Sequence, residues 1–126
     1  MSMKPGDTFL VDLGQGTHLH VVLSHPFDVD RLIVVTMIST YDEDYKNAAC
    51  ILRQTDGHPF IKHTSYVAYN TAQILRWVDL ENLSIKKMAP FSEEVLHRIL
   101  KGANASSSDF PNKCWLVLDD QRLIPR

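Results

Sequence analysis

The pattern of apolar and polar positions in the first third of the chain predicts three strands joined by short turns. Residues 8–13 are rich in β-branched and aromatic types, residues 18–24 alternate before a Val-Val-Leu block, and residues 32–38 are apolar throughout. Pro26 breaks the pattern between the second and third strands, because proline cannot donate to a sheet ladder. Three consecutive strands with short connections form an antiparallel meander, and such a sheet tends to curl and close on itself.

The middle of the chain predicts two further strands separated by a sharp reversal. Residues 48–52 and residues 60–69 both have the composition of strands. Between them, Asp56 and Gly57 predict a tight turn, and Pro59 stops any ladder there. These segments extend the predicted sheet.

Residues 74–80 give a less decided signal. Trp77 and Val78 suit a pleated surface, which favours a strand. Residues 72–80 fit a short helix as the alternative. We expect the strand.

One helix is predicted in the last third of the chain. Ser92 is a good N-cap, and Glu93 and Glu94 favour the positive end of the helix dipole. The apolar residues that follow recur at helical spacing and form one stripe, Val95, Leu96, Ile99, Leu100 and Ala103. Gly102 and Asn104 fit the end of this helix.

Together these elements predict a mainly β fold with a C-terminal helix. Residues 113–118 fit one more strand after that helix. The chain has 126 residues, which is enough for a real hydrophobic core, and we expect residues 1–126 to form a single domain.

Composition and charge exclude several classes of protein. A formal net charge of −2 argues against broad, charge-driven nucleic-acid binding, although a local basic groove is compatible with it. No apolar run approaches the length of a membrane span and no signal-peptide pattern is present, so we expect a cytoplasmic protein with no membrane contact. Cys50 and Cys114 are far apart and lack CxxC spacing, so neither a disulfide framework nor a structural zinc site is expected.

The first cluster of candidate functional residues is Thr17, His18 and His20. Residues two apart on a strand share a face, so the two histidines are expected on the same side of the sheet. Imidazole titrates near neutrality, which suits a general acid–base pair. The alternative is that both are ordinary polar strand positions. A metal site would need a further ligand that the sequence spacing does not supply.

The second cluster lies in residues 57–66, a turn followed by the start of a strand. Lys62 is suited to neutralising phosphate charge, and His63 to donating or accepting a proton. On a regular strand, His63 and Ser65 share one face while Lys62 and Tyr66 share the other, so these side chains converge only if the chain bulges. The alternative is a plain hairpin without function.

Four short segments also carry a resemblance to a known family. The chain resembles the start of the MazF/PemK toxins in Pro5-Gly6-Asp7, Leu10-Val11-Asp12, Val21-Val22-Leu23-Ser24 and the strand end Ile38-Ser39-Thr40. The resemblance covers about the first third of the chain. It implies a small SH3-like β-barrel and, for many members, ribonuclease activity.

The resemblance implies roles for Ser39 and Thr40, whereas the chain departs from the family pattern at His18 and Leu19. Matching residues 22–24 to the family's Val-Leu-Ser places His18 where the family has the Arg of an Arg-Pro pair implicated in RNA cleavage, and Leu19 replaces the Pro. Imidazole cannot reproduce the forked, permanently charged guanidinium. Ser39 falls at the family's catalytic Thr, with Thr40 beside it, so these hydroxyls would bind the scissile phosphate. The alternative is that they cap the end of a strand.

The resemblance implies the toxin component of a type II toxin–antitoxin module. Together with the candidate residues it favours an endoribonuclease that acts on single-stranded RNA without metal or cofactor. The predicted catalytic residues are His18, His20, Ser39 and His63, and the predicted substrate-binding residues are Thr17, Thr40, Lys62, Ser65 and Tyr66. The resemblance also implies a homodimer and a cognate antitoxin. The alternative is a non-catalytic SH3-like barrel that acts as an interaction or regulatory module, since fold alone does not fix function.

Overall fold

A computed structural model describes residues 3–41, 48–106 and 109–125. The strands are β1 (Thr8–Asp12), β2 (Thr17–Val22), β3 (Leu32–Thr40), β4 (Ile51–Leu52), β5 (Ser65–Arg76) and β6 (Lys86–Met88). The helices are α1 (Trp77–Glu81), α2 (Glu93–Ala105) and α3 (Asn112–Asp120), and a 3₁₀ turn spans Gln54–Asp56. None of the described helices is long and apolar enough to cross a membrane.

The strands form one antiparallel sheet in the order β4-β5-β3-β2-β1-β6. Its centre is the β1–β2–β3 meander that the sequence predicts. The sheet is curled into a half-barrel, with helices supplied by the C-terminal part of the chain. This confirms the predicted mainly β, small barrel-like class.

An irregularity in the pairing of β3 with β5 bends the sheet. Val35 pairs with Gln73 and Met37 pairs with Ala68, so four residues of β5 stand opposite one residue of β3. A hydrogen bond spans the extra residues of β5: the Thr71 hydroxyl donates to the Ala68 carbonyl over 2.6 Å. Bulges of this kind increase strand bending and twist, which favours the curl of the sheet.

Both faces of the sheet are buried, each by a separate apolar cluster. Val21 and Val34 belong to the cluster under α2 and α3, whereas their neighbours Val22 and Val35 belong to a second cluster with Trp77 of α1. Adjacent residues of a strand point to opposite faces, so a strand buried on both sides must be apolar at every position. This is the reason for the largely apolar run at residues 32–38, in which the buried Thr36 donates its hydroxyl to the Ala68 carbonyl over 2.9 Å.

Helix α2 forms where the sequence predicts it, but it extends beyond the predicted end. The Ser92 hydroxyl accepts the Val95 backbone N–H over 3.2 Å, as expected of an N-cap. Gly102 lies inside the helix, which continues to Ala105.

The prediction of a strand at residues 113–118 is wrong, because these residues form α3. The buried members of α3 are Cys114 and Leu118, four residues apart, which is a helical spacing. The strand interpretation of residues 74–80 is correct only to Arg76, since α1 begins at Trp77. Lys86–Met88, for which the sequence pattern predicts no strand, is the edge strand β6.

Helix α2 is fastened to the 3₁₀ turn by Arg98. Its guanidinium donates to the Asp56 carboxylate over 2.7 Å and to the Ile51 carbonyl over 2.7 Å. Hydrogen bonding to this guanidinium holds the pKa of Asp56 below its usual value. The contact fixes the chain directly before residues 57–64, the segment that carries the second candidate cluster.

Candidate functional site

A cavity of about 320 Å³ lies at the end of the sheet where β2 begins, β3 ends and β5 begins; we call it the sheet-end cavity. Its lining residues are Thr17, His18, Leu19, Ile38, Ser39, Thr40, Phe60, Ile61, Lys62, His63 and Ser65. The volume is at the lower end of the range of small-molecule sites, about 300–1,000 Å³. This lining offers one ammonium group, two imidazoles and four hydroxyls, and no carboxylate among the described residues.

The strand register explains how separate parts of the sequence reach the sheet-end cavity. Leu19 near the start of β2 pairs with Ile38 near the end of β3, and Thr40 pairs with Ser65 at the start of β5. In antiparallel pairs the beginning of one strand lies beside the end of the next. Seven of the nine predicted site residues therefore line one cavity: Thr17, His18, Ser39, Thr40, Lys62, His63 and Ser65.

Lys62 and His63 reach the same cavity because they lie outside the regular strand. The chain from 57 to 64 is an irregular loop, here called the 57–64 loop, and β5 begins only at Ser65. The Tyr41 N–H donates to the Thr64 carbonyl over 2.9 Å, and the Ser65 hydroxyl donates to the His63 carbonyl over 3.0 Å. On a regular strand the side chains of Lys62 and His63 would point to opposite faces. Because both residues lie before β5 begins, this does not keep them from lining the same cavity.

The buried side chain of His58 anchors the 57–64 loop. Its Nδ1 accepts the Phe60 N–H over 3.1 Å, so the ring proton is on Nε2, which donates to the Ala89 carbonyl over 2.6 Å. The ring also packs on Phe91, with 4.7 Å between the ring centroids. Burial lowers the pKa of His58 and favours its neutral form.

His18 lies half-buried at the start of β2 and uses one of its ring nitrogens locally. Its Nε2 lies 2.9 Å from the Gln15 carbonyl oxygen. Since a carbonyl oxygen only accepts, Nε2 must carry a proton, and Nδ1 is the nitrogen left to exchange a proton with a ligand.

Two predicted site residues do not line the sheet-end cavity. His20 is buried and stacks on Phe9, with ring centroids 5.7 Å apart, and its Nδ1 donates to the His18 carbonyl over 3.0 Å. Burial lowers the pKa of His20. It lines a smaller cavity of about 60 Å³, which His18 shares. Tyr66 pairs with Ser39 in the sheet and is not among the lining residues.

Sequence reasoning missed two apolar residues of the 57–64 loop that line the sheet-end cavity, Phe60 and Ile61. Both residues have the composition of the strand predicted over residues 60–69. No local feature of the sequence distinguishes the buried Ile61 from the exposed Phe60. Across the described ranges, no group of three or more His, Cys, Asp and Glu side chains is placed to hold a metal ion.

The two buried histidines make the stability of the fold depend on pH. The unfolded chain takes up a proton at the ordinary imidazole pKa of about 6.5, whereas His58 and His20 in the folded chain do so only at lower pH. Their contribution to the free energy of unfolding is therefore complete above about pH 6.5 and is lost as the pH falls through the folded-state values. We expect the melting temperature to fall between about pH 7 and pH 5.

The variant His58→Gln isolates one of these two contributions. Glutamine keeps an amide that can donate to Ala89 and an oxygen that can accept from Phe60, but it does not titrate. Thermal melts followed by circular dichroism at a series of pH values should show a shallower fall for His58→Gln than for the wild type. Equal slopes for the two proteins would contradict the assignment to His58.

Comparison with known proteins gives a fold and no sequence family. No family model and no curated protein matches the chain. Solved structures do: a chain of the MazE-MazF crystal structure (Form-III) from Deinococcus radiodurans has a TM-score of 0.57 at 15% identity, covering 88% of this chain and 100% of that chain. A chain of Form-II from the same organism has a TM-score of 0.59 at 14% identity, covering 88% and 99%. The protein therefore has a MazF-like fold.

Proposed function

We propose that this protein is the toxin of a toxin–antitoxin module and cleaves single-stranded RNA. The observation that supports this best is the sheet-end cavity, in which groups from three strand ends and from the 57–64 loop line one space. They are two imidazoles, an ammonium group and several hydroxyls, with no carboxylate among the described lining residues. A phosphodiester is an anion whose cleavage needs proton transfers and charge stabilisation, which are the capacities of these groups. The MazF-like fold agrees with this choice.

The proposed reaction is attack by the RNA 2′-hydroxyl on its own phosphorus. The bond between O2′ and phosphorus forms, the bond between phosphorus and O5′ breaks, and the products are a 2′,3′-cyclic phosphate and a 5′-hydroxyl. A base takes the proton of the 2′-hydroxyl, and an acid gives a proton to the departing O5′. No other reactant is consumed in this step.

We assign the base to His18 and the acid to His63. In neutral His18, Nε2 carries the ring proton and donates it to the Gln15 carbonyl oxygen. The lone pair on Nδ1 is therefore the one that can accept a proton. His63 is exposed on the 57–64 loop and lines the same cavity, so we assign to it the proton given to the leaving oxygen. His20 donates to the His18 carbonyl, so we give it the role of fixing the His18 backbone.

Lys62, Ser39 and Thr40 are proposed to hold the phosphate. The Lys62 ammonium is the cation of the described lining and would offset the charge that builds up on the phosphoryl oxygens. Its positive charge would take the place of the Arg guanidinium that the MazF/PemK family, which the sequence resembles, has at the position of His18. Ser39 and Thr40 supply hydroxyl donors at the end of β3, and Thr17 supplies another at the start of β2.

The two solved structures compared above are MazE-MazF structures. We propose by analogy that a cognate antitoxin binds this chain and that the toxin acts as a homodimer. Since the described lining is cationic, an acidic antitoxin segment would compete with RNA for the sheet-end cavity.

The test is an RNA cleavage assay with the purified full-length protein in the presence of EDTA. We expect cuts in a labelled single-stranded RNA, fewer cuts in the same RNA as a duplex, and cyclic-phosphate ends. A strand with 2′-deoxyribose at the cut sites should stay intact, because it lacks the nucleophile. Absence of cleavage across RNAs of varied sequence would overturn the catalytic proposal, and retained RNA binding without cleavage would favour the non-catalytic module.

A further inference from the structure

Given the proposed function, we propose that Phe60 is the base-stacking residue of the sheet-end cavity. In this role its ring holds the base of a nucleotide whose phosphate lies at Lys62. The inference deepens the proposed function, because it names the part of the RNA that the apolar side of the cavity takes.

The exposure of Phe60 is the first observation behind this role. The residue is 44% exposed although it lines the cavity. The other exposed large apolar side chains of the described ranges are aliphatic, namely Val29, Val78, Leu83 and Leu116. Phe60 is thus the residue of this group that offers a π face, which every nucleobase can stack on.

The backbone on both sides of Phe60 is held in place. Its own N–H donates to His58 Nδ1 over 3.1 Å, and the next N–H, of Ile61, donates to the His58 carbonyl over 3.1 Å. The Ile61 side chain is buried in the main apolar cluster. A ring carried on such a fixed backbone loses little freedom when a base stacks on it, which favours binding.

The positive charge of Lys62 favours a nucleotide over a purely apolar ligand in the sheet-end cavity. Lys62 is two residues further along the chain and lines the same cavity. Single-strand binding sites combine cationic groups for the backbone with aromatic rings for the bases. The same two kinds of group, two residues apart in the chain and lining one cavity, fit the phosphate and the base of one nucleotide.

The experiment compares binding of two non-cleavable single-stranded octamers: a 2′-deoxy pool of mixed sequence and an abasic 2′-deoxy octamer with the same backbone. The proteins are the wild type, Phe60→Leu, which keeps apolar area but loses the π face, and Phe60→Trp, which keeps it. RNA cleavage by each protein is measured in parallel. Thermal melts confirm that the exposed substitutions leave the fold intact.

We expect Phe60→Leu to weaken binding of the base-bearing pool by roughly 5- to 140-fold, the range of one lost base–aromatic stack. Phe60→Trp should bind as well as the wild type, and both variants should bind the abasic octamer with wild-type affinity. Equal binding of the base-bearing pool by the wild type and Phe60→Leu, or an equal loss for both octamers, would overturn the role of Phe60 while RNA cleavage by the wild type stands. A wild type that neither binds nor cleaves RNA would overturn the proposed function itself, and this inference with it.

Discussion

His18→Ala and His63→Ala are each expected to lower the rate of RNA cleavage by about 10²–10⁴-fold, the usual contribution of a general base or acid. Both imidazoles line the sheet-end cavity, and neither is part of an apolar cluster, so their removal should spare the fold. Single-turnover cleavage rates at saturating protein measure this effect, because they separate the chemical step from RNA binding. The matched control is His97→Ala on the exposed side of α2, which should cleave at the wild-type rate.

A modified substrate separates the two roles. An RNA in which sulfur replaces the bridging 5′ oxygen has a leaving group that needs no proton, so an acid is no longer required. His63→Ala should recover most of its lost rate on this substrate, whereas His18→Ala should not. Recovery by His18→Ala alone would reverse the assignment, and wild-type rates for both variants on ordinary RNA would remove both histidines from the mechanism.

The β meander was predictable because its signal is local. A strand buried on one face alternates, and a strand buried on both faces is apolar throughout. The strands β1 to β3 follow these rules except at the buried polar residues Thr8, His20 and Thr36. Helix α3 was not predictable in this way, since Trp115, Leu116 and Val117 have the composition of a strand. The four-residue spacing of Cys114 and Leu118 was the competing signal, and tertiary packing gave it the greater weight.

Strand β6 was missed for a different reason. Its residues include Lys86 and Lys87, which carry no apolar pattern, and it joins the sheet through backbone pairing with β1. Charged residues suit an edge strand because they discourage pairing with other chains, and they also hide the strand from a hydrophobic pattern.

The candidate site could be predicted as a set of residues but not as a geometry. His18 and His20 look alike in the sequence, yet His18 borders the sheet-end cavity and His20 is buried against Phe9. That difference depends on the length and curl of β2 and its neighbours, which no local pattern encodes.

The path of the 57–64 loop depends on contacts distant in sequence. His58 bonds with Ala89, 31 residues away, and lies 3.1 Å from the Thr8 hydroxyl, 50 residues away. These contacts hold the loop outside the regular strand, and that allows Lys62 and His63 to line one cavity. Such long-range pairing is not visible in the sequence.

Gly102→Ala is expected to destabilise the fold by about 1–3 kcal/mol, the usual cost of overpacking a core. Alanine is the better helix former by about 1 kcal/mol, so an exposed glycine in α2 would give the opposite sign. At this position, however, an added Cβ would lie 2.2 Å from the Tyr69 hydroxyl oxygen and 3.2 Å from the Cys50 Cβ. Urea unfolding of the variant and the wild type measures the difference in the free energy of unfolding.

The size of the effect depends on how firmly Tyr69 is held. Its hydroxyl donates to the Ile99 carbonyl over 2.6 Å, and its ring meets Phe110 edge-on, with ring centroids 6.0 Å apart. Because the side chain is buried between β5 and α2, it cannot turn away into solvent.

Tyr69→Phe tests this explanation, because it removes the oxygen that the new methyl group would meet. The ring carbon Cζ stays 3.0 Å from the added Cβ, so we expect partial and not complete relief. The double variant Gly102→Ala/Tyr69→Phe should therefore be less destabilised than the sum of the two single variants. Strict additivity would mean that the two side chains do not meet. A Gly102→Ala variant more stable than the wild type would mean that α2 lies farther from β5, and that Gly102 serves the end of the helix, as its sequence alone suggests.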